Sequence, residues 1–258
     1  MTPPLEPGTV TLVGGGPGDP DLITVAGLKA VRQADVILYD RLAPLAILDE
    51  NPQAELIAVG KVPRGPYVPQ ERINELLISH AQAGRRVVRL KGGDSFVFGR
   101  GGEEWQACAA AGVPVRVIPG VSSSVAGPAL AGIPLTHRSL VQGFTVVSGH
   151  VPPDDARSRI DWQALTRSST TLVILMGVAH IAAIARELRA GGMPDETPVA
   201  VISQASLPEQ EVLTSRLDEV AELMVRNGVE PPSLVVVGEV TALDLDNTDP
   251  ATRTRCEH

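Results

Sequence analysis

Residues 9–40 read TVTLVGGGPGDPDLITVAGLKAVRQADVILYD, and this stretch decides the fold class. The segment TVTLVG is rich in β-branched residues, which predicts a short strand. The loop GGGPGDP continues neither a helix nor a strand. A helical spacing of apolar residues then runs from Leu22 to Gln33, with Thr24 as the expected N-cap, and a second strand ends at Asp40. Strand, loop, helix and strand in this order predict an α/β fold with parallel strands.

The alternation of strands and helices continues along the rest of the chain. Further strands are predicted at AELIAVG, RRVVRLKGG, VPVRVIPG, FTVVSGH, TTLVILMG, PVAVISQA, EVLTSRL and PSLVVVGEV. Helices are predicted at QERINELLISHAQAG, EEWQACAAAG, SSSVAGPALAGI, HIAAIARELRAGG and DEVAELMVRNG. We therefore predict two α/β domains, at residues 9–120 and 121–242. A flexible N-terminus (1–8) and a disordered tail (243–258) are expected to flank them.

The composition of the 258 residues argues against several function classes. Only 3% are aromatic, which disfavours base stacking on single-stranded nucleic acid, and the formal net charge of −8 opposes any nucleic-acid partner. No apolar run approaches the roughly 20 residues that cross a bilayer, and the start MTPPLEPG lacks the features of a signal peptide. Cys108 and Cys256 form no metal-ligand pattern. We expect reduced cysteines, no metal, no membrane association and a cytoplasmic location.

Positive charge is concentrated in one part of this acidic chain. Residues 60–100 contain eight Lys or Arg and three Asp or Glu, whereas residues 201–250 contain two basic and ten acidic residues. The basic segment overlaps the glycine-rich RLKGGDSFVFGRGGEE (89–104), which also holds two of the three phenylalanines. Such a segment is either a solvated face or a site that receives an anion.

Four short loops follow predicted strands: GGGPGDP, KGGD, PGVSSS and MGV. In open α/β sheets ligands bind beyond the carboxyl ends of the strands, so these loops are expected to converge on one edge. A dinucleotide fingerprint starting at Gly14 would need glycine at position 19, where the chain has Asp19. Asp19 thus disfavours a nicotinamide-dependent oxidoreductase, which is the alternative from another class of protein. The loops favour a nucleoside that carries an amino-acid tail.

The chain resembles the tetrapyrrole methylase family, and within it the branch that acts on uroporphyrinogen III. The resemblance extends from Thr11 to Val240 and is carried by LVGGGPGDPDLIT, ADVILYDRL, RVVRLKGGDSFVFGRGGEE, VPVRVIPGVSS, AGIPLTHR and TTLVILMGV. It implies two α/β domains with S-adenosylmethionine in a cleft between them, no metal, and a homodimer. Departures are Ser95 and Ser148, where the family usually has Pro and Thr.

The resemblance also implies roles for individual residues. Asp40 would accept a proton and Lys61 would donate one. The implied cofactor contacts are Pro17, Gly92, Gly93, Asp94, Val97, Ser122, Ser123, Met176 and Ala205. Phe96 and Phe98 are expected to pack inward beneath the KGGD loop.

The implied reaction transfers two methyl groups from S-adenosylmethionine to carbons 2 and 7 of uroporphyrinogen III. It gives precorrin-2 through precorrin-1, with S-adenosylhomocysteine as the second product, on the way to sirohaem or cobalamin. The substrate carries eight carboxylates, for which we expect basic and histidine partners. These are Arg41, Arg64, Arg89, Lys91, Arg100, His137, Arg138 and His150. Alternatives within the family are methylation of a later precorrin or of ribosomal RNA, and a further alternative is a non-catalytic tetrapyrrole binder.

Overall fold

The computed structural model describes residues 3–60 and 68–245, and the chain divides into two compact units after Ser123. Each unit contains one five-stranded sheet with helices packed on it. The domain boundary expected at residue 120 lies close to this division. Lys61, Arg64 and Cys256 lie outside the described residues.

The first unit alternates strands with helices, as its sequence predicts. Its elements are β1 (Val10–Gly14), α1 (Val25–Gln33), β2 (Val36–Tyr39), β3 (Glu55–Ala58), α2 (Gln70–Gln82), β4 (Val87–Lys91), α3 (Gly101–Ala110) and β5 (Val115–Ile118). The Thr24 hydroxyl accepts from the N–H of Gly27 at 3.1 Å, which confirms the predicted N-cap. The helix begins at Val25 rather than Leu22 because Pro20–Leu22 forms a separate 3₁₀ turn.

The first sheet is entirely parallel, in the order β3-β2-β4-β1-β5. Residues of α1 pack with one face of the sheet, and residues of α2 and α3 pack with the other. The usual dinucleotide-binding order places the first strand beside the second, whereas here β4 lies between them. This order brings the ends of β4, β1 and β5 next to one another, with the end of β2 beside β4.

The second unit has a mixed sheet. Its elements are α4 (Ser123–Leu130), which begins at the division, β6 (Phe144–Ser148), α5 (Trp162–Leu165), β7 (Thr171–Leu175), α6 (Ile181–Ala190), β8 (Pro198–Ser203), β9 (Glu211–Arg216), α7 (Val220–Arg226) and β10 (Ser233–Val237). The order is β6-β7-β10-β8-β9, in which β6 and β7 are parallel and the other pairs are antiparallel. Residues of α5, α6 and α7 bury one face of this sheet.

The structure differs from the predicted flexible N-terminus (1–8) and disordered tail (243–258) at the residues of each that lie nearest the folded units. Leu5 is buried in the core of the first unit, and its N–H donates to Gln33 at 2.9 Å, which argues against flexibility at that residue. Leu243 packs against the core of the second unit. Residues 246–258 lie outside the described residues. Across the parts of the chain that are described, none of the helices has the length and apolar character to span a membrane.

Candidate functional site

Three of the four glycine loops meet at the carboxyl edge of the first sheet. They follow the adjacent strands β1, β4 and β5. The N–H of Gly93 donates to the carbonyl of Gly16 at 2.6 Å, and the N–H of Gly16 donates back to the carbonyl of Gly93 at 3.2 Å. The expected convergence of these three loops is therefore observed within the first unit. The fourth loop follows β7 and belongs to the second unit.

The Asp94 carboxylate ties two of these loops together. Its Oδ1 accepts from the N–H of Phe96 at 2.8 Å, inside its own loop. Its Oδ2 accepts from the N–H of Gly120 at 2.9 Å, in the loop after β5. Each carboxylate oxygen retains a lone pair for a donor on a ligand.

Two glycines of the site are required for different reasons. A Cβ at Gly120 would lie 2.2 Å from the carbonyl oxygen of Gly93, so no side chain fits there. Gly93 itself has φ of +64°, which disfavours other residues. Its missing side chain points toward Ser122 and Ser123, whose nearest atom would be 3.8 Å from an added Cβ. Gly93, Ser122 and Ser123, predicted as cofactor contacts, thus lie close together, and a Cβ added at Gly93 would be in van der Waals contact with the two serines.

The aromatic residues of the glycine-rich segment do not pack inward, so that expectation is wrong. Phe96 is 52% exposed and Phe98 is 44% exposed. Ser95 takes the buried place in this turn, and the Phe96 ring lies against Trp105 with 6.2 Å between ring centroids. The neighbouring Val97 is also exposed, which makes it available for an apolar contact with a ligand.

Asp40 lies directly after β2, beside the KGGD loop. Its Oδ1 accepts from the N–H groups of Leu42 at 3.1 Å and Gly92 at 3.3 Å. Its Oδ2 lies 3.7 Å from a terminal nitrogen of Arg89. The carboxylate is one quarter exposed and fixed by backbone donors, as a proton acceptor at the sheet edge would need to be.

Arg89 and Lys91, expected to bind substrate carboxylates, are instead buried and paired inside the first unit. Arg89 Nε lies 3.0 Å from Glu104 Oε1, and Lys91 Nζ lies 3.0 and 3.1 Å from the two Glu104 oxygens. Burial, and next the nearby Arg89, hold the pKa of Lys91 below its usual value. Because both cations already have a buried counterion, we do not propose the predicted substrate role for them.

The remaining cations of the first unit are at the surface. Arg41 is exposed. Arg100 is exposed but forms a bidentate pair with Glu103, at 2.9 and 2.6 Å. Its guanidinium, expected to bind a substrate carboxylate, is therefore already paired with a carboxylate of the protein. That guanidinium holds the pKa of Glu103 below its usual value.

The candidates of the second unit lie in its loops. His150 is exposed, and its Nδ1 lies 2.8 Å from the Ser148 hydroxyl. His137 pairs through its backbone with Val141, and its buried Nδ1 has no hydrogen-bond partner within the described part of the chain. Arg138 is exposed.

Left-handed backbone occurs at Met176 and on both sides of Ala205, the two positions predicted for cofactor contact in the second unit. Met176 has φ of 58° and is 47% exposed, so it is not a core residue. Ala205 lies between Gln204 and Ser206, with φ of 49° and 71°. Residues other than glycine adopt such angles at a cost of roughly 1–3 kcal/mol, and they cluster at functional sites. The sequence does not predict the left-handed backbone of Gln204 and Ser206, because neither residue type indicates it.

The described residues contain no group of three or more His, Cys, Asp or Glu side chains that could hold a metal ion.

Comparisons with known proteins find close relatives over most of the chain. The family described as Tetrapyrrole (Corrin/Porphyrin) Methylases matches residues 9–221. The chain is 48% identical over 237 residues to Siroheme synthase 1 of Yersinia enterocolitica, covering 92% of this chain and 49% of that protein. It therefore spans about half the length of the curated relatives it matches.

Solved structures match over nearly their whole length. Uroporphyrin-III C-methyl transferase from Thermus thermophilus, complexed with S-adenyl homocysteine, is 43% identical with a TM-score of 0.78, covering 91% of this chain and 99% of that one. A cobalt precorrin-4 methyltransferase is 26% identical with a TM-score of 0.81, covering 91% of this chain and 96% of that one.

Proposed function

Because the chain belongs to the tetrapyrrole methylase family, we propose that it is an S-adenosylmethionine-dependent methyltransferase acting on uroporphyrinogen III. It methylates carbons 2 and 7 and gives precorrin-2 through precorrin-1, for sirohaem or cobalamin. The observation that carries this proposal is the match to the Thermus thermophilus enzyme, which includes 99% of that chain at 43% identity.

The residues at the sheet edge of the first unit fit an S-adenosylmethionine molecule. Gly93 has no side chain and its Cβ direction faces two serines, which suits close approach of a ligand to the backbone. Asp94 supplies carboxylate acceptors for hydroxyl or amine donors, and exposed Val97 supplies apolar surface. We propose that Pro17, Gly92 and Ser123 also contact S-adenosylmethionine. Met176 and Ala205 stay predicted contacts of the second unit.

When bound, S-adenosylmethionine supplies an electrophilic methyl group. A pyrrole carbon is electron-rich, so the main task of the protein is to orient the two reactants, which is worth roughly 7–11 kcal/mol of a barrier. After methylation the macrocycle must lose a proton, and Asp40 Oδ2 is the acceptor that we propose. Its Oδ1 is engaged by two backbone N–H groups, so the carboxylate has a fixed direction. Lys61, the proposed proton donor, lies outside the described residues.

The eight substrate carboxylates need cationic partners at close range, because charges farther apart than about 8 Å are screened at physiological salt. Arg41 and Arg138 are exposed and suited to this role. Arg100 joins them if it exchanges Glu103 for the substrate. His150 is also exposed and supplies a ring N–H. Arg64 stays a prediction outside the described residues, and His137 stays a prediction because its ring is partly buried.

We further propose a homodimer in the cytoplasm, with neither nucleic-acid nor membrane partners. The dimer rests on the family resemblance. The absence of nucleic-acid binding rests on the net charge of −8.

The proposal is tested by incubating the protein anaerobically with uroporphyrinogen III and S-adenosylmethionine labelled in its methyl group. Mass spectrometry should detect one and then two added methyl groups on the tetrapyrrole. The TM-score of 0.81 favours a later precorrin as the second candidate, although the identity is only 26%. Transfer to a later precorrin and none to uroporphyrinogen III would replace the proposed substrate with this one.

A further inference from the structure

Glu104 is a completely buried carboxylate on α3 that the mechanism above does not use. Its two oxygens contact Arg89 and Lys91, which are 3% and 4% exposed, and Gln70 Nε2 lies 3.3 Å from Oε1. A buried carboxylate is stable only with such partners. The cluster of Arg89, Lys91 and Glu104 lies on the face of β4 that α2 and α3 cover.

Arg89 connects this cluster to Asp40. Its Nε is bound by Glu104 at 3.0 Å, and its Nη1 donates to the carbonyl of Leu90 at 3.2 Å and that of Leu38 at 3.4 Å. Its Nη2 stops 3.7 Å short of Asp40 Oδ2, which is too long for a hydrogen bond. The guanidinium thus faces two carboxylates but is bonded to only one of them.

The balance of charge explains why the second contact stays open. Two cations, Arg89 and Lys91, are shared between two carboxylates, Glu104 and Asp40. Glu104 is the more deeply buried carboxylate and therefore attracts both cations more strongly. Without its charge, Asp40 would be the nearest carboxylate for Arg89 among the described contacts.

We propose that Glu104 is a positioning residue that holds Arg89 away from Asp40, so that Asp40 Oδ2 stays available as the proton acceptor. This inference rests on the proposed function. A direct charge-assisted bond from Arg89 would take one lone pair of Oδ2 and stabilise the ionised carboxylate, which would make Asp40 a weaker proton acceptor. Glu104 thus acts on turnover through Arg89 and does not touch the substrate.

The first test is the crystal structure of the Glu104→Gln variant, which removes the charge and keeps the side-chain size. Arg89 Nη2 should then lie within about 3.0 Å of Asp40 Oδ2, as in a charge-assisted hydrogen bond. A separation that stays at 3.7 Å would overturn the inference. This readout needs no activity, so it decides the inference even if the wild-type protein transfers no methyl group and the proposed function fails.

The second test is kinetic. Glu104→Gln should lower kcat roughly ten- to a hundredfold and change the dissociation constant of S-adenosylhomocysteine less than about twofold, because proton transfer is impaired and the glycine loops are intact. The matched control is Glu50→Gln, which makes the same chemical change in the exposed Arg32–Glu50 pair. Its kcat should equal that of the wild type. A Glu104→Gln variant with the kcat of this control would contradict the inference.

A double-mutant cycle separates positioning from general damage to the fold. In an Asp40→Asn background, measured by single turnover with labelled cofactor, Glu104→Gln should lower the rate less than about twofold, since the group it protects is gone. Additive losses would show that Glu104 acts by another route. If Glu104→Gln does not fold, Glu104→Asp replaces it in the crystal structure and in the kinetic test. It keeps the charge but not the reach, and should give an intermediate kcat and an intermediate Arg89–Asp40 separation.

Discussion

Replacing Asp94 with alanine removes the carboxylate that joins the loop after β4 to the loop after β5. The backbone N–H groups of Phe96 and Gly120 both lose their acceptors, at 2.8 and 2.9 Å. A hydrogen bond to a charged group contributes about 1.5–3 kcal/mol. The lower value applies here because the side chain is partly exposed. Since two such bonds are lost, we expect the free energy of unfolding to fall by about 3 kcal/mol.

The same change should weaken cofactor binding. The carboxylate fixes the loop of Gly93 relative to Ser122 and Ser123, which border the proposed cofactor space. We expect the dissociation constant of S-adenosylhomocysteine to rise roughly ten- to a hundredfold, or about 1.4–2.8 kcal/mol, measured by isothermal titration calorimetry.

Two further variants make this prediction specific. Asp94→Asn keeps one carbonyl acceptor, so it should lose about half as much stability as Asp94→Ala. It should bind S-adenosylhomocysteine with intermediate affinity. Asp161→Ala removes an aspartate that caps α5 by accepting from the N–H of Ala164 at 2.9 Å. This control should lose about 1 kcal/mol of stability and bind S-adenosylhomocysteine normally. An Asp94→Ala variant that binds as tightly as this control would refute the role given to the carboxylate.

Three other predictions follow from single contacts. Asp40→Asn should lower kcat roughly a hundredfold without weakening S-adenosylhomocysteine binding, and a wild-type rate would remove it as the proton acceptor. Gly120→Ala would place a Cβ 2.2 Å from a carbonyl oxygen, so it should lower the melting temperature and abolish the S-adenosylhomocysteine binding measured by calorimetry. Gly102→Ala, whose added Cβ would have nothing within 4 Å, should do neither. Arg86 lowers the pKa of Asp35 to about 2 from 3.8, so this pair stabilises the fold above pH 4 and loses its effect as the pH falls toward 2. Urea unfolding should therefore find Asp35→Asn less stable than wild type at pH 5 and the difference smaller at pH 3.

The local pattern of the first unit was predictable, whereas the strand order was not. Alternating strand and helix segments and the Thr24 cap are encoded by neighbouring residues. The placement of β4 between β1 and β2 depends on pairing between strands far apart in sequence. The insertion of β10 between β7 and β8 is of the same kind. Residue periodicity does not record which buried strands become neighbours.

The burial of Arg89 and Lys91 was missed because a strand pattern does not tell which charges meet a counterion. Both residues occupy the face of β4 that α3 covers. One signal was present in the sequence: Glu104 precedes Cys108 by four residues, so the predicted helix places both on one face. Cys108 and Glu104 are both fully buried, as residues on one buried helix face are expected to be.

The excess of positive charge in residues 60–100 is therefore not a uniform attraction for a polyacid. Arg89 could reach a substrate carboxylate only by breaking its buried contact with Glu104, which would leave Lys91 as the cation paired with that buried carboxylate among the described contacts. Arg100 pairs with Glu103 at the surface, where such a bond is worth about 0–1 kcal/mol. A substrate carboxylate can replace Glu103 at little cost, and Glu103 then returns to water. The two arginines flank the same glycine loop, and this difference in desolvation is the reason that we propose substrate binding for Arg100 and an internal role for Arg89.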